Sequence, residues 1–137
     1  MAGMKFFFGG AKRQTAERKE AQEVGVTGEE LAARYLTDQG LTVVERNYRN
    51  GRHEIDIVAL EGDELVVVEV KTRTSRWLEP EEAVDRSKRL ALIEAANQYV
   101  LEQHCTRPVR FDVVGIVHGE NGPEVNHIRN AFDMFSL

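Results

Sequence analysis

Cysteine and long apolar runs are scarce in this chain of 137 residues, and each scarcity excludes a class of protein. The single Cys105 permits no internal disulfide and no cysteine-based zinc site. The four histidines show no metal-binding spacing. No apolar run approaches the roughly 18 residues of a membrane span, and residues 6–8 are too short for the core of a signal peptide. We therefore expect a cytoplasmic protein without a membrane anchor.

Positive charge is also in short supply. The net charge is −5 at pH 7, whereas contacts to phosphate dominate the affinity of proteins for DNA. The basic residues are clustered, however, because residues 46–52, 71–76 and 86–89 each hold three of them and no acid. Solvated turns would explain any one stretch alone. Tyr48 and Trp77 lie in or beside these stretches and are candidates for stacking on bases.

Two apolar segments with a turn signal between them organise the chain. They cover residues 55–60 and 65–70, and Gly62 and Asp63 between them predict a β-hairpin. The second segment is apolar at every position but Glu69, which indicates a strand buried on both faces. A strand of this kind rarely carries a charge without a partner or a purpose.

Four charged residues are brought together by this hairpin. With a two-residue loop, Asp56 lies opposite Glu69, and Glu54 lies opposite Lys71. All four share one face, because side chains two apart on a strand point the same way. Glu-x-Lys alone is common on solvent-facing strands, but a purely structural cluster would hold three acids against one base. Facing carboxylates repel, so we expect a cation between them, and a divalent metal is the natural candidate.

Several pieces of the chain match a known sequence family: residues 28–36, 46–49, 54–56, 68–73, Lys88, 110–114 and 131–132. Together they resemble the small, uncharacterised bacterial YraN family of the PD-(D/E)xK nuclease superfamily. His53 stands where that family usually has glycine. The resemblance implies an α/β fold of restriction-endonuclease type, with an αβββαβ core and a mixed central sheet flanked by helices.

The resemblance also implies metal-dependent hydrolysis of phosphodiester bonds in DNA. Asp56 and Glu69 would bind Mg²⁺ or Mn²⁺, which prefer oxygen ligands, and the Val70 carbonyl would be a further ligand. Lys71 would orient or activate the attacking water and stabilise charge on the phosphate. Glu29 would hold a water on the ion or a second ion.

Further candidates surround this set. Glu54 shares its face, and Lys88 lies on the next helix, where an ion pair with Asp85 and a contact with phosphate are equal alternatives. The DNA-binding candidates in the basic stretches are Arg46, Arg49, Arg52, Arg73 and Arg76.

The remaining pattern predicts a single domain over residues 25–137, preceded by a mobile or helical arm over residues 1–24. Thr27 and Glu30 form a capping box for a helix that ends near Gln39, with Gly40 as its stop and Glu29 facing inward. Further elements are expected as a strand at 41–45, a basic loop to residue 52, a helix over about 79–103, and strands at 108–117 and 124–128.

Three functions compete for this pattern. The first is a metal-dependent endonuclease, with branched or single-stranded DNA among its candidate substrates and a homodimer as a candidate assembly. The second is a non-catalytic nucleic-acid-binding module with a nuclease-like fold. The acidic net charge and His53 favour it, and the intact set of Glu29, Asp56, Glu69 and Lys71 disfavours it. The third, a structural adaptor with a buried ion-pair cluster, gives no reason for three acids around one lysine.

Overall fold

The computed structural model describes residues 26–73 and 84–135, where one helix, three strands, a second helix and two strands follow in order. The helices are α1 (Gly28–Asp38) and α2 (Arg86–Gln103). The strands are β1 (Thr42–Asn50), β2 (His53–Glu61), β3 (Glu64–Arg73), β4 (Val109–Gly119) and β5 (Gly122–Phe132). The predicted α/β class is confirmed. The arm predicted for residues 1–24 lies outside the described residues.

The five strands form one mixed sheet in the order β1-β2-β3-β4-β5. The β3–β4 pair is parallel and the other neighbours are antiparallel. Parallel neighbours need a crossover connection, and the segment containing α2 provides it. The αβββαβ order and the mixed sheet agree with the expectation from sequence.

Each face of the sheet is covered by one helix. Leu36 of α1 packs with Val66 and Val68 of β3, whereas Leu92 of α2 packs with Val67 on the other face. We call these two clusters the α1 core and the α2 core. Strand β3 lies between them and is buried on both sides, which explains its nearly continuous valine sequence.

Both helices begin at side-chain caps, and α1 begins where predicted. Thr27 and Glu30 form the predicted capping box, and Gly40 follows the end of the helix with φ 99°. Helix α2 begins at Arg86, because its N-cap Asp85 is extended and accepts the Lys88 amide. The part of the predicted helix over residues 79–83 lies outside the described residues. Neither described helix has the length and apolar character that crossing a bilayer requires.

The predicted basic loop after residue 45 is wrong, because β1 continues to Asn50 before the turn into β2. The strand is interrupted by an irregularity between Val43 and Glu45, and alternation then directs Tyr48 inward. This tyrosine is buried and its hydroxyl donates a 2.9 Å hydrogen bond to Glu102 of α2. Tyr48 therefore supports the α2 core and is not a stacking group for bases.

Candidate active site

Strands β2 and β3 separate at Asp56, and this separation creates the candidate site. Their pairing follows the predicted register from Glu61–Glu64 as far as Ile57–Val68 and ends there. Beyond this point β2 remains paired with β1, and β3 remains paired with β4. In the opening, Asp56 Oδ2 accepts a 2.8 Å hydrogen bond from the Val70 amide. The side chain thus satisfies a backbone donor at the end of the ladder.

The side-chain alternation of β2 also breaks at Asp56. Ile57 packs in the α1 core and Ile55 packs in the α2 core, although a regular strand would place both on one face. The prediction that Asp56 opposes Glu69 and Glu54 opposes Lys71 as ladder pairs on one regular face is therefore wrong, because the pairing ends at Ile57–Val68. The hairpin register itself is confirmed.

Glu69 is the most deeply buried acid of the site, with 5% of its surface exposed. It lies on the α2 side of β3, and two lysines reach its Oε2 atom. Lys71 Nζ is 3.4 Å away and Lys88 Nζ, from the first turn of α2, is 3.8 Å away. Burial and the Asp56 carboxylate raise the pKa of Glu69, against the lowering effect of both lysines. The protein thus holds this carboxylate in an environment that penalises its negative charge.

Glu29 reaches the site from the opposite helix. Gly28 starts α1 so close to the end of β3 that a Cβ on it would overlap Thr72 Oγ1, which explains the glycine at this position. Burial, and after it the Asp56 and Glu54 carboxylates, raise the pKa of Glu29, which also shares a side-chain hydrogen bond with Asp56. The prediction that Glu29 faces inward therefore agrees with the structure.

Glu54 and His53, the two residues that begin β2, are each held by a partner. Glu54 lies opposite Arg49 of β1, and their side chains form a 3.3 Å ion pair. His53 Nε2 lies 2.7 Å from Glu94 Oε1 on α2, so the imidazole is bound to the helix. The Glu54 carboxylate also raises the pKa of Glu29, although Glu54 is itself paired with Arg49.

The predicted DNA-binding arginines differ in whether an acidic side chain of the protein already pairs with them. Arg46, Arg52 and Arg73 are exposed. Arg49 is exposed as well, but its guanidinium forms an ion pair with Glu54. Arg76 and the stacking candidate Trp77 lie outside the described residues.

The donor set fits a hard cation that retains water. Asp56 and Glu69 lie where the two strands separate, close enough for the Asp56 charge to raise the pKa of Glu69, and oxygen ligands suit Mg²⁺ and Mn²⁺. Within residues 26–73 and 84–135, no three His, Cys, Asp or Glu side chains converge as a complete ligand set. Mg²⁺ is commonly bound through one or two carboxylates with several waters. The residues present therefore fit such an ion, and they do not form an all-protein cage.

A second buried acid lies on the other face of the sheet. Asp112 of β4 is 1% exposed and accepts hydrogen bonds from Arg110, the Asn130 amide and His127. Its pairing with Arg110 follows the alternation of β4, because the two residues are two positions apart. The donors from β5 could not be found by local pattern, because they lie 15 and 18 residues further along the chain.

Comparison with known proteins places these features in a family. The model of the uncharacterised protein family UPF0102 matches residues 28–116. A UPF0102 protein of Porphyromonas gingivalis is 46% identical over 113 residues, covering 80% of this chain and 84% of the relative. A UPF0102 protein of Bacteroides thetaiotaomicron is 44% identical over 115 residues, covering 82% and 94%. The matched range contains the whole candidate site, from Glu29 to Lys88.

One solved structure shows a distant likeness to this chain. SfsA of Pyrococcus furiosus in complex with Ca²⁺ has a TM-score of 0.35 and 15% identity, covering 84% of this chain and 63% of that chain. A likeness this weak carries no argument about the site.

Proposed function

The chain belongs to the uncharacterised protein family UPF0102, which is YraN-like, and from this premise and its acidic site we propose that it is a metal-dependent endonuclease acting on DNA. The observation that supports the proposal most is the meeting of Asp56, Glu69 and Lys71 where β2 and β3 separate. A site of acids beside a lysine suits the hydrolysis of a phosphodiester, which needs a bound cation and a positioned water.

Asp56 and Glu69 are the proposed ligands of Mg²⁺ or Mn²⁺, and the family resemblance adds the Val70 carbonyl. When bound, such an ion neutralises charge on the phosphoryl group and polarises it towards attack. Asp56 is held in place for this role by the Val70 amide. A carboxylate fixed before the ligand arrives need not be ordered when the ligand binds.

Lys71 is proposed to orient the attacking water and to stabilise negative charge on the phosphate. Its side chain is one-third exposed and its Nζ lies 3.4 Å from Glu69, so it can meet a substrate from solvent while it stays paired. Glu29 is proposed to hold a water beside Asp56, because a carboxyl group with a raised pKa accepts a proton more readily.

The DNA backbone is proposed to contact exposed arginines near the mouth of the site, with Arg46, Arg52 and Arg73 as the described candidates. Local positive charge would then act against the net charge of −5. One copy presents one such site, so we also propose that two copies act together when both strands are cut.

A non-catalytic nucleic-acid-binding module is the second candidate. Two observations favour it: the acidic net charge, and the lack of a complete protein ligand set among the described residues. Under this alternative, DNA binding would survive removal of the acids, and no metal would be needed.

A cleavage assay separates these two candidates. The protein would be incubated with linear, single-stranded and four-way branched DNA in Mg²⁺, Mn²⁺ or EDTA. We expect at least one DNA form to be cut only with metal, and the Glu69→Ala and Lys71→Ala variants to lose about 100-fold or more in rate. The Asp56→Ala protein is the control for contamination. Cutting in EDTA, or cutting that survives either substitution, would contradict the proposal.

A further inference from the structure

Lys88 is a second lysine at the site, and its Nζ lies 3.8 Å from Glu69 Oε2. We propose that Lys88 binds a non-bridging oxygen of the phosphate group, while Lys71 serves the attacking water. This inference rests on the proposed function. It gives separate roles to two ammonium groups, one on β3 and one on α2.

The geometry separates the two lysines. Lys71 Nζ lies 3.4 Å from Glu69 Oε2 and lowers the pKa of Glu69 through a hydrogen bond, whereas Lys88 Nζ lies 3.8 Å away, too far for a hydrogen bond. The Lys88 side chain is also 41% exposed, more than that of Lys71. Lys88 therefore keeps its N–H donors available for an incoming oxygen, and the charge of Glu69 holds the ammonium close to the site.

The ion pair with Asp85 that competed with this role is not formed through the ammonium group. Asp85 Oδ1 accepts the backbone amide of Lys88 at 2.9 Å and acts as the N-cap of α2. The same turn is fixed by buried Val84, whose carbonyl accepts a 2.8 Å hydrogen bond from Arg89. Lys88 thus projects from a firmly anchored turn, which limits the ordering needed when a ligand binds.

Helix stability gives no reason for a lysine here. Cations near a helix N-terminus are disfavoured by the helix dipole, and acidic residues are the stabilising choice. The first turn of α2 holds no acid, and Lys88 points instead to Glu69 on β3. An anion arriving at this point would meet both the ammonium group and the positive end of the helix dipole.

The test compares full-length Lys88→Met, Lys88→Arg and Arg107→Met. Arg107 is the control because its exposed guanidinium binds the Gly62 carbonyl at the turn end of the hairpin, away from the site. Three quantities would be measured: DNA affinity against salt concentration in EDTA, Mn²⁺ affinity without DNA by calorimetry, and single-turnover cleavage with Mg²⁺.

We expect Lys88→Met to cleave about tenfold more slowly or worse and to lose about one unit of the salt slope of DNA binding. Its Mn²⁺ affinity should be unchanged or stronger, because a positive charge near Glu69 is gone. Lys88→Arg should recover most of the DNA affinity, and Arg107→Met should match the wild type. Loss of Mn²⁺ binding together with cleavage would mean that Lys88 only holds Glu69, and that result would overturn the inference.

The two proposals fail in different ways. If the wild type cuts no DNA with any metal, the endonuclease proposal fails. The Lys88 inference is then decided by DNA affinity alone. Equal affinity in Lys88→Met and Arg107→Met would overturn it, and weaker binding in Lys88→Met alone would support it.

Discussion

Asp112 and Glu69 lie on neighbouring strands and are both almost completely buried, yet their environments are opposite. Asp112 accepts hydrogen bonds from a bidentate guanidinium, an imidazole and a backbone amide. Burial alone would raise its pKa, but the donors from His127, Arg110 and Asn130 lower the pKa of Asp112 to about 2. Glu69 has two lysines at longer range and a second acid beside it, and its pKa is raised.

The contrast separates an acid whose charge the protein compensates from one whose charge it disfavours. Arg110, His127 and the Asn130 amide donate to Asp112, so the fold itself compensates the charge of this carboxylate. The Asp56 carboxylate, by contrast, raises the pKa of Glu69 and also that of Glu29. A residue retained at such a cost is a stability liability, as residues of functional sites often are.

The largest expected effect comes from breaking the compensated acid. Asp112→Asn should lower the free energy of unfolding by roughly 2–3 kcal/mol, because it removes the buried carboxylate that accepts from Arg110, His127 and the Asn130 amide, while Arg110 keeps only its more exposed partners Glu61 and Glu64. The matched variant Glu69→Gln should change stability by less than about 1 kcal/mol or raise it. Urea denaturation in EDTA, followed by far-UV circular dichroism, measures both. Equal losses in the two variants would erase the distinction.

The pH dependence sharpens the same comparison. The folded-state pKa of Asp112, about 2, lies below its ordinary value of 3.8, so the stabilisation is fully present above 3.8. It is lost as the pH falls from 3.8 towards 2. By linkage it amounts to roughly 2 kcal/mol. The stability difference between wild type and Asp112→Asn should therefore shrink over this window, and a difference that is constant with pH would contradict the assignment.

The next effect concerns the site itself and its ion. Asp56→Asn should melt at or above the wild-type temperature in EDTA, because the amide oxygen can still accept from Val70 while the repulsion of Glu69 and Glu29 falls. For a site with a dissociation constant of order 1 mM, about 10 mM Mg²⁺ stabilises the wild type by roughly 1.4 kcal/mol. The variant should gain much less.

Thermal melts with and without Mg²⁺ or Mn²⁺ measure this reversal. A strongly destabilised Asp56→Asn in EDTA, with both proteins indifferent to metal, would mean that Asp56 and Glu69 do not share an ion. Cleavage need not be observed for this outcome to count. The melts therefore test the metal-binding proposal independently of any DNA substrate.

What could be read from sequence was local. The register of the hairpin follows from Gly62 and Asp63, and the start of α1 follows from the capping box at Thr27, because both signals act over a few residues. The arc of α1 also placed Glu29 on the inward side. These features need no knowledge of distant contacts.

What could not be read depends on contacts between distant segments. No local pattern reveals that β2 and β3 separate at Asp56 while β1 and β4 stay paired with their outer edges. Tyr48 was expected in a loop because arginines flank it. It is buried instead, and its hydroxyl donates to Glu102, which lies 54 residues further along the chain. The contact of Lys88 with Glu69 likewise requires the crossover between β3 and β4.

The smallest expected effect compares two exposed arginines at opposite ends of the hairpin. Arg73 ends β3 just beyond Lys71, whereas Arg107 lies at the Gly62 turn, roughly 30 Å away along the strand at about 3.3 Å per residue. Arg73→Ala should weaken DNA binding and reduce its salt slope by about one unit, with little effect on folding. Arg107→Ala should change neither, and Arg49→Ala should fall between them because Glu54 already occupies its charge. Fluorescence anisotropy over a salt series measures all three, and identical slopes would place the path of the DNA away from the separated strands.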